Sequence, residues 1–143
     1  MMKRYLLDTN IISAMLMPSQ QLWRKVQDVI VAEEKIFIST ISYYETKRGL
    51  LASQATTKLR HFEYVRQKTE MVGIDNEPVL DTASEIYAVL KKRGTLLPDA
   101  DILIAAMAKT YGLTLVTNDS HFDRIEGLQV ENWVRESTSP VEK

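Results

Sequence analysis

Short apolar runs alternate along this chain with longer stretches whose apolar residues recur every three or four positions. Runs bounded by turn residues read as strands buried on both faces, and the longer periodic stretches as amphipathic helices. Residues 3–7 form the first strand and lead into Asp8-Thr9-Asn10. A brief helix over 11–17, stopped by Pro18, comes next. Ser19 then caps a helix with Leu22, Val26, Val29 and Ile30 on one side. Residues 36–39 are a second strand. A helix opened by Thr40 or Ser42 carries Tyr43, Tyr44, Glu45 and Leu50, with Gly49 weakening its end. Another helix spans 56–67, with Leu59, Phe62 and Val65 or Arg66 on one side, and 70–74 is a weaker third strand.

The clearest helix begins near Pro78 after Asn76, presents Val79, Leu80, Ala83, Ile86, Tyr87 and Leu90 as its apolar face, and ends at Gly94. After a loop over 95–98, the next helix runs from 99 to 111 with Gly112 as a left-handed cap. It is apolar on nearly every side, which places it centrally. Residues 113–117 and 128–132 complete the strands, and 137–143 is a polar tail expected to fray. Strands alternating with helices require a mostly parallel sheet covered on both faces, an α/β fold in a single domain over 1–136. In such sheets ligands gather beyond the carboxyl ends of the strands.

That rule gives meaning to four acids. Asp8 follows the first strand, Asp119 closes the fourth in Thr117-Asn118-Asp119, Glu45 lies early in a helix, and Asp101 opens the most apolar helix. Each has a structural reading. Asp8 suits an N-cap, Glu45 a solvated pair with Arg48, and Asp119 an Asx turn. Asp99 and Asp101 both suit a helix N-terminus, although capping explains one better than two. Taken together, carboxylates converging at one sheet edge repel unless a cation neutralises them. An all-oxygen ligand set points to Mg²⁺ or Mn²⁺ and to phosphate chemistry. We assign the metal to Asp8, Glu45, Asp101 and Asp119. Supporting positions are Thr9, Asn10, Asp99 (capping or outer-shell contact), Thr117 and Asn118.

Composition narrows the setting. The net charge of −1 provides no global attraction to nucleic acid, so phosphate contact needs a metal or local cations. Lys47 and Arg48, one turn from Glu45, and Lys91, Lys92 and Arg93, before the loop to Asp99, are the candidates; a solvated face is the rival reading. Tyr43, Tyr44 and Trp133 are candidates for base stacking or for core packing. His61 and His121 lack metal-ligand spacing and read as structural or surface groups. The absence of cysteine excludes disulfides, thiolate metal sites and cysteine nucleophiles. No apolar stretch approaches the roughly 20 residues of a membrane span, and the first apolar segment is too short for a secretory signal, so a cytoplasmic location is expected.

Leu7-Asp8-Thr9-Asn10, Ser42-Tyr43-Tyr44-Glu45, the run from Asp101 to Ala108 and Leu115-Val116-Thr117-Asn118-Asp119, in this order, resemble the PIN-domain ribonucleases, most closely the VapC toxins of bacterial toxin–antitoxin pairs. The likeness extends to His121-Phe122 and to Gly127-Leu128 and Glu131-Asn132-Trp133. It implies a three-layer α/β/α sandwich, commonly a homodimer, that hydrolyses RNA with Mg²⁺ or Mn²⁺ and leaves 5′-phosphate and 3′-hydroxyl ends. The family's acids fall on Asp8, Glu45, Asp101 and Asp119. A small cognate antitoxin is the implied partner, in a toxin–antitoxin hetero-oligomer, with the helices around 43–51 and 59–65 as docking walls or dimer contact. The rivals are a non-catalytic partner-binding module of the same fold and another metal-dependent phosphate hydrolase. A haloacid-dehalogenase-type phosphatase would want an acid where Asn10 stands, a receiver domain an acidic pair and late lysine, and a P-loop enzyme its glycine-rich signature.

Overall fold

The computed structural model describes residues 2–17 and 20–134. The expected stop at Pro18, cap at Ser19 and tail at 137–143 lie outside that set. The chain runs β1 (Arg4–Leu7), α1 (Thr9–Met15), α2 (Gln20–Val31), β2 (Lys35–Ser39), α3 (Thr40–Ala52), α4 (Thr56–Gln67), β3 (Glu70–Val72), α5 (Glu77–Arg93), α6 (Asp99–Tyr111), β4 (Thr114–Val116) and β5 (Val130–Glu131). A 3₁₀ turn at Ser120–Arg124, which the hydrophobic pattern does not announce, separates β4 from β5. Among the described residues no helix is long and apolar enough to cross a membrane.

All five strands pair in parallel in the order β3-β2-β1-β4-β5. Side chains of a strand alternate between faces, so each strand feeds two cores. Tyr5 and Leu7 of β1, Ile36 and Ile38 of β2 and Val116 of β4 join Ile11, Ile12, Leu22, Val26, Phe62 and Val65. Leu6, Phe37 and Leu115 turn the other way, onto Val79, Ala83, Ile86 and Leu90 of α5 and the buried run of α6. The result is a three-layer α/β/α sandwich. In α6, Ile102 and every residue from Ile104 to Ala108 are buried, as its all-round apolarity requires.

Gly49 lies in the last turn of α3, where it costs about 1 kcal/mol; the helix continues to Ala52, and Ser53 Oγ donates to the Gly49 carbonyl at 2.9 Å. Two local expectations change. The cap of α3 is Ser39, whose hydroxyl accepts the Ser42 N–H at 2.9 Å. Leu80 and Tyr87 of α5 are exposed rather than inward, because α6 covers only the narrower stripe of Val79, Ala83, Ile86 and Leu90.

The strand order sets the site. From β1 the chain moves to β2 and β3 on one side, then returns to β4 and β5 on the other. β1 and β4 therefore flank the switch point where such sheets bind ligands. Leu7 is in register with Val116 on one side and Ile38 on the other, and the Asp8 N–H donates to the Val116 carbonyl at 2.9 Å. Asp8, Thr117 and Ser39 consequently emerge together at the carboxyl edge.

Candidate active site

Asp8 is buried at the end of β1 and both its oxygens are engaged. Oδ1 accepts the Thr9 N–H at 2.8 Å and caps α1, while Oδ2 accepts the Thr117 hydroxyl at 2.8 Å. The N-cap expected of Asp8 is therefore formed. Burial pushes the Asp8 carboxyl above the ordinary aspartate range; the Thr117 and Thr9 bonds oppose that rise, and the charges of Asp119 and Glu45 add to it.

Glu45 is carried across from α3. Its Oε1 accepts the Thr9 hydroxyl at 2.9 Å, and the same Thr9 oxygen lies 2.8 Å from the Ser42 hydroxyl. Thr9 has one hydroxyl proton; with it given to Glu45, the buried Ser42 is the donor to Thr9. A single residue therefore steers two acids: the Thr9 N–H holds Asp8 and its Oγ1 holds Glu45. Sequence reading marked Thr9 as an orienting group but missed Ser42. The signal was available in its place one helical turn before Glu45, on the same face.

Asp101, in the first turn of α6, is the most perturbed acid. Its carboxyl is raised from 3.8 to about 6, first by burial and then by the charges of Asp8, Asp119 and Glu45. Asp101 thereby feels all three other acids. Asp99 is exposed, and it does not cap α6, whose N-cap position is Pro98 with no side-chain bond. Asp119 Oδ1 accepts the His121 N–H at 2.9 Å, the expected Asx-type turn, and lies 3.1 Å from His121 Nδ1. The Asp119 N–H in turn donates to Thr117 Oγ1 at 3.0 Å, which ties Asp119 to Asp8 through one hydroxyl. His121, read from sequence as a surface or structural group, therefore borders the acids, and its charge lowers Asp101 slightly against the larger rises.

The remaining candidates divide. Arg48 borders a cleft with Glu45, whereas Lys47 donates to the Tyr43 hydroxyl at 3.1 Å. Lys91 and Lys92 are exposed, and Arg93 pairs with Glu126 at 3.1 Å. Trp133 is fully buried and packs edge-on against Tyr5 at 5.1 Å, so it belongs to the core and is no stacking platform. Tyr43 packs against Phe62 at 5.4 Å, and only Tyr44 stands open. Asn118 lines a polar hollow with Thr117, Asp119, Ser120, Asp123 and Asn132.

The acids fit a hard cation in one respect and limit it in another. Among the described residues, no lysine or arginine lies within ion-pair distance of Asp8, Glu45 or Asp101, and the Thr117 and Thr9 bonds to Asp8 and the His121 charge near Asp101 offset their mutual repulsion only in part. Also among the described residues, no three Asp, Glu, His or Cys side chains close around one point as a ready-made cage. Charge coupling without a cage suits an ion that retains several waters and takes few direct carboxylates, which is the habit of Mg²⁺.

A central parallel sheet with coupled acids at its switch point defines a class of α/β domain, and comparison with known proteins places it. The PIN domain family model matches residues 5–128. Ribonuclease VapC2 of Haemophilus influenzae is 32% identical over 138 residues, covering 93% of this chain and 100% of that protein. The tRNA(fMet)-specific endonuclease VapC of Salmonella typhimurium is 32% identical over 101 residues, or 69% of this chain and 76% of that one. Among solved structures, the DNA-bound VapBC from Salmonella typhimurium superposes with a TM-score of 0.80 at 27% identity, covering 93% of this chain and 99% of that chain. The chain belongs to the PIN-domain family, alongside the VapC ribonucleases. PIN-domain nucleases generally depend on divalent metal.

Proposed function

We propose that this protein is a Mg²⁺-dependent endoribonuclease (Mn²⁺ serving equally as the hard cation) that acts as the toxin of a toxin–antitoxin pair. The observation that carries the reading is the hydrogen-bond network at the carboxyl edge of the sheet, in which Thr9 links Asp8 to Glu45 and Thr117 links Asp8 to Asp119; burial first, and then the charges of Asp8, Asp119 and Glu45, raise the Asp101 carboxyl beside it. Asp8 and Asp101 would hold the principal ion, with Glu45 and Asp119 completing its surroundings through water. When bound, such an ion lowers the pKa of coordinated water and stabilises charge on the phosphate oxygens.

The chain's own residues prepare that event. Thr117 and Thr9 aim the two oxygens of Asp8, and the Ser42–Thr9 pair holds Glu45, so the donors need little reorganisation. Burial and crowding raise the proton affinity of Asp8 and Asp101, and a bound divalent cation would favour their ionised forms instead.

A free ribonuclease threatens its host, and a small antitoxin is the partner we infer. Supporting it, an open apolar cleft of about 310 Å³ between α1, α2 and α4 is lined by Met15, Leu16, Met17, Trp23, His61 and Tyr64. That lining suits the apolar face of a short segment from another chain.

The test is cleavage of RNA by purified protein with Mg²⁺, using a panel that includes transfer RNA. Activity must vanish with EDTA and with Asp8→Asn while circular dichroism stays unchanged. Full activity in EDTA would refute the metal-dependent mechanism, and a folded wild type inert on every RNA would leave the non-catalytic binding module standing.

A further inference from the structure

One turn of α3 carries two side chains for which the acid network has no use. Tyr44 is 61% exposed, the most exposed aromatic ring among the described residues, and the Arg48 guanidinium carbon lies 5.0 Å from its centroid. On an isolated surface helix such a pair would be a solvated cation–π contact. Here it borders an open cleft of about 380 Å³ whose other walls are Thr40, Ile41, Glu45, Ala100 and Leu103. Glu45 is one of the coupled acids, and Ala100 precedes Asp101. The cleft is therefore an extension of the acid cluster between α3 and the start of α6.

The chemistry of the walls selects an occupant. Ile41, Ala100 and Leu103 offer apolar surface and Tyr44 a flat ring, which match the faces of a nucleobase. A strand entering this site meets four acids and a protein of net charge −1, so its phosphates need a local cation. Lys47 is turned to Tyr43 on the adjoining face, which leaves Arg48 as the α3 cation at the cleft. A double-stranded region presents no free base face to such a ring.

We propose that Tyr44 and Arg48 form a nucleotide subsite: an unpaired base next to the scissile phosphate stacks on Tyr44, and Arg48 contacts the adjoining backbone phosphate. The subsite rests on the ribonuclease reading and adds to it a requirement for a single-stranded nucleotide at one fixed distance from the cut. Tyr44 binds and positions the strand through its ring; its hydroxyl is dispensable.

The experiment uses the full chain with Mg²⁺ and short single-stranded oligoribonucleotides. One set carries 2-aminopurine at successive positions around the cut, and another carries an abasic site there. Tyr44→Phe and Tyr44→Trp are expected to keep the wild-type KM. Tyr44→Ala should raise KM by about ten- to a hundredfold, with a smaller change in kcat, and should lose the 2-aminopurine quenching at one position. The abasic substrate should abolish the difference between wild type and Tyr44→Ala. Arg48→Ala should weaken binding at every sequence and reduce its salt dependence.

An unchanged KM in Tyr44→Ala overturns the proposal. So does an effect confined to sedimentation or to antitoxin binding, which would assign the ring to a protein contact. Should wild type cleave nothing, the nuclease reading fails separately, and fluorescence titration still decides the subsite: position-specific quenching by wild type and not by Tyr44→Ala supports it, and its absence removes it.

Discussion

Replacing Thr117 by valine would test how much of the site depends on one buried hydroxyl. Thr117 is 1% exposed; its Oγ1 donates to Asp8 Oδ2 at 2.8 Å and accepts the Asp119 N–H at 3.0 Å. Valine has nearly the same shape, so no cavity opens and the loss is electrostatic. A hydrogen bond to a charged partner contributes about 1.5–3 kcal/mol, and here it favours only the ionised form of Asp8. That form already suffers from burial and from the neighbouring charges of Asp119 and Glu45. Thr117→Val therefore moves the Asp8 carboxyl further upward. Because a bound cation requires the ionised carboxylate, Mg²⁺ or Mn²⁺ affinity should fall by up to about ten- to a hundredfold on the acid side of the Asp8 titration, and by less above it. The acid limb of the cleavage profile should shift to higher pH, since activity is lost wherever Asp8 takes up its proton. Titration calorimetry with Mn²⁺ at several pH values, alongside the pH–rate profile, measures both effects. Thr117→Ser keeps both bonds and should resemble wild type. A Thr117→Val protein that binds the ion as tightly as wild type, with an unmoved acid limb, would refute this account of Asp8.

Three further outcomes are expected. Asp101 has a higher carboxyl pKa folded (about 6) than its ordinary 3.8, so the folded state holds the proton more tightly and ion-free stability falls as pH rises between those values. Asp101→Asn should abolish cleavage yet stabilise the ion-free protein at neutral pH by about 1–2 kcal/mol, solvent screening included, and the gain should vanish below the ordinary aspartate range; thermal melts against pH decide this. Thr9→Val, which removes the hydroxyl shared by Glu45 and Ser42, should lower kcat by about tenfold while Thr9→Ser retains it, and equal rates would show that Glu45 needs no such hold. Gly112 caps α6 at a φ of 68°, and an added Cβ would meet nothing within 4 Å, so Gly112→Ala should cost about 1–2 kcal/mol from backbone conformation alone, read as a lower melting temperature with activity intact.

Much of this fold was legible one element at a time. The helices at 56–67 and 99–111 have the bounds their periodicity predicts, Gly94 ends its helix as expected, and Gly112 caps its own in the left-handed conformation expected of it. Those features depend on neighbours within a few residues. What the local pattern missed or left open has the opposite property. Leu80 and Tyr87 are apolar and correctly spaced, yet α6 is too narrow to cover them. Trp133 suited either base stacking or core packing, and Tyr5, 128 positions earlier, decides for the core. His121 carries no metal-ligand spacing, and its relevance arises only because a 3₁₀ turn swings it beside Asp119.

The sequence by itself determined the alternation of strand and helix, and with it the placing of Asp8 and Asp119 after strands and Asp101 at a helix start. Periodicity and turn chemistry are local, and they were enough for that. Only the tertiary structure decided that β1 lies between β2 and β4, that Thr9 reaches 36 positions along the chain to Glu45, and that Asp101 holds its proton to about 6. Strand order follows from which faces bury each other. Proton affinity follows from how much water burial removes and how near the other charges come, and neither quantity exists until the chain has closed on itself.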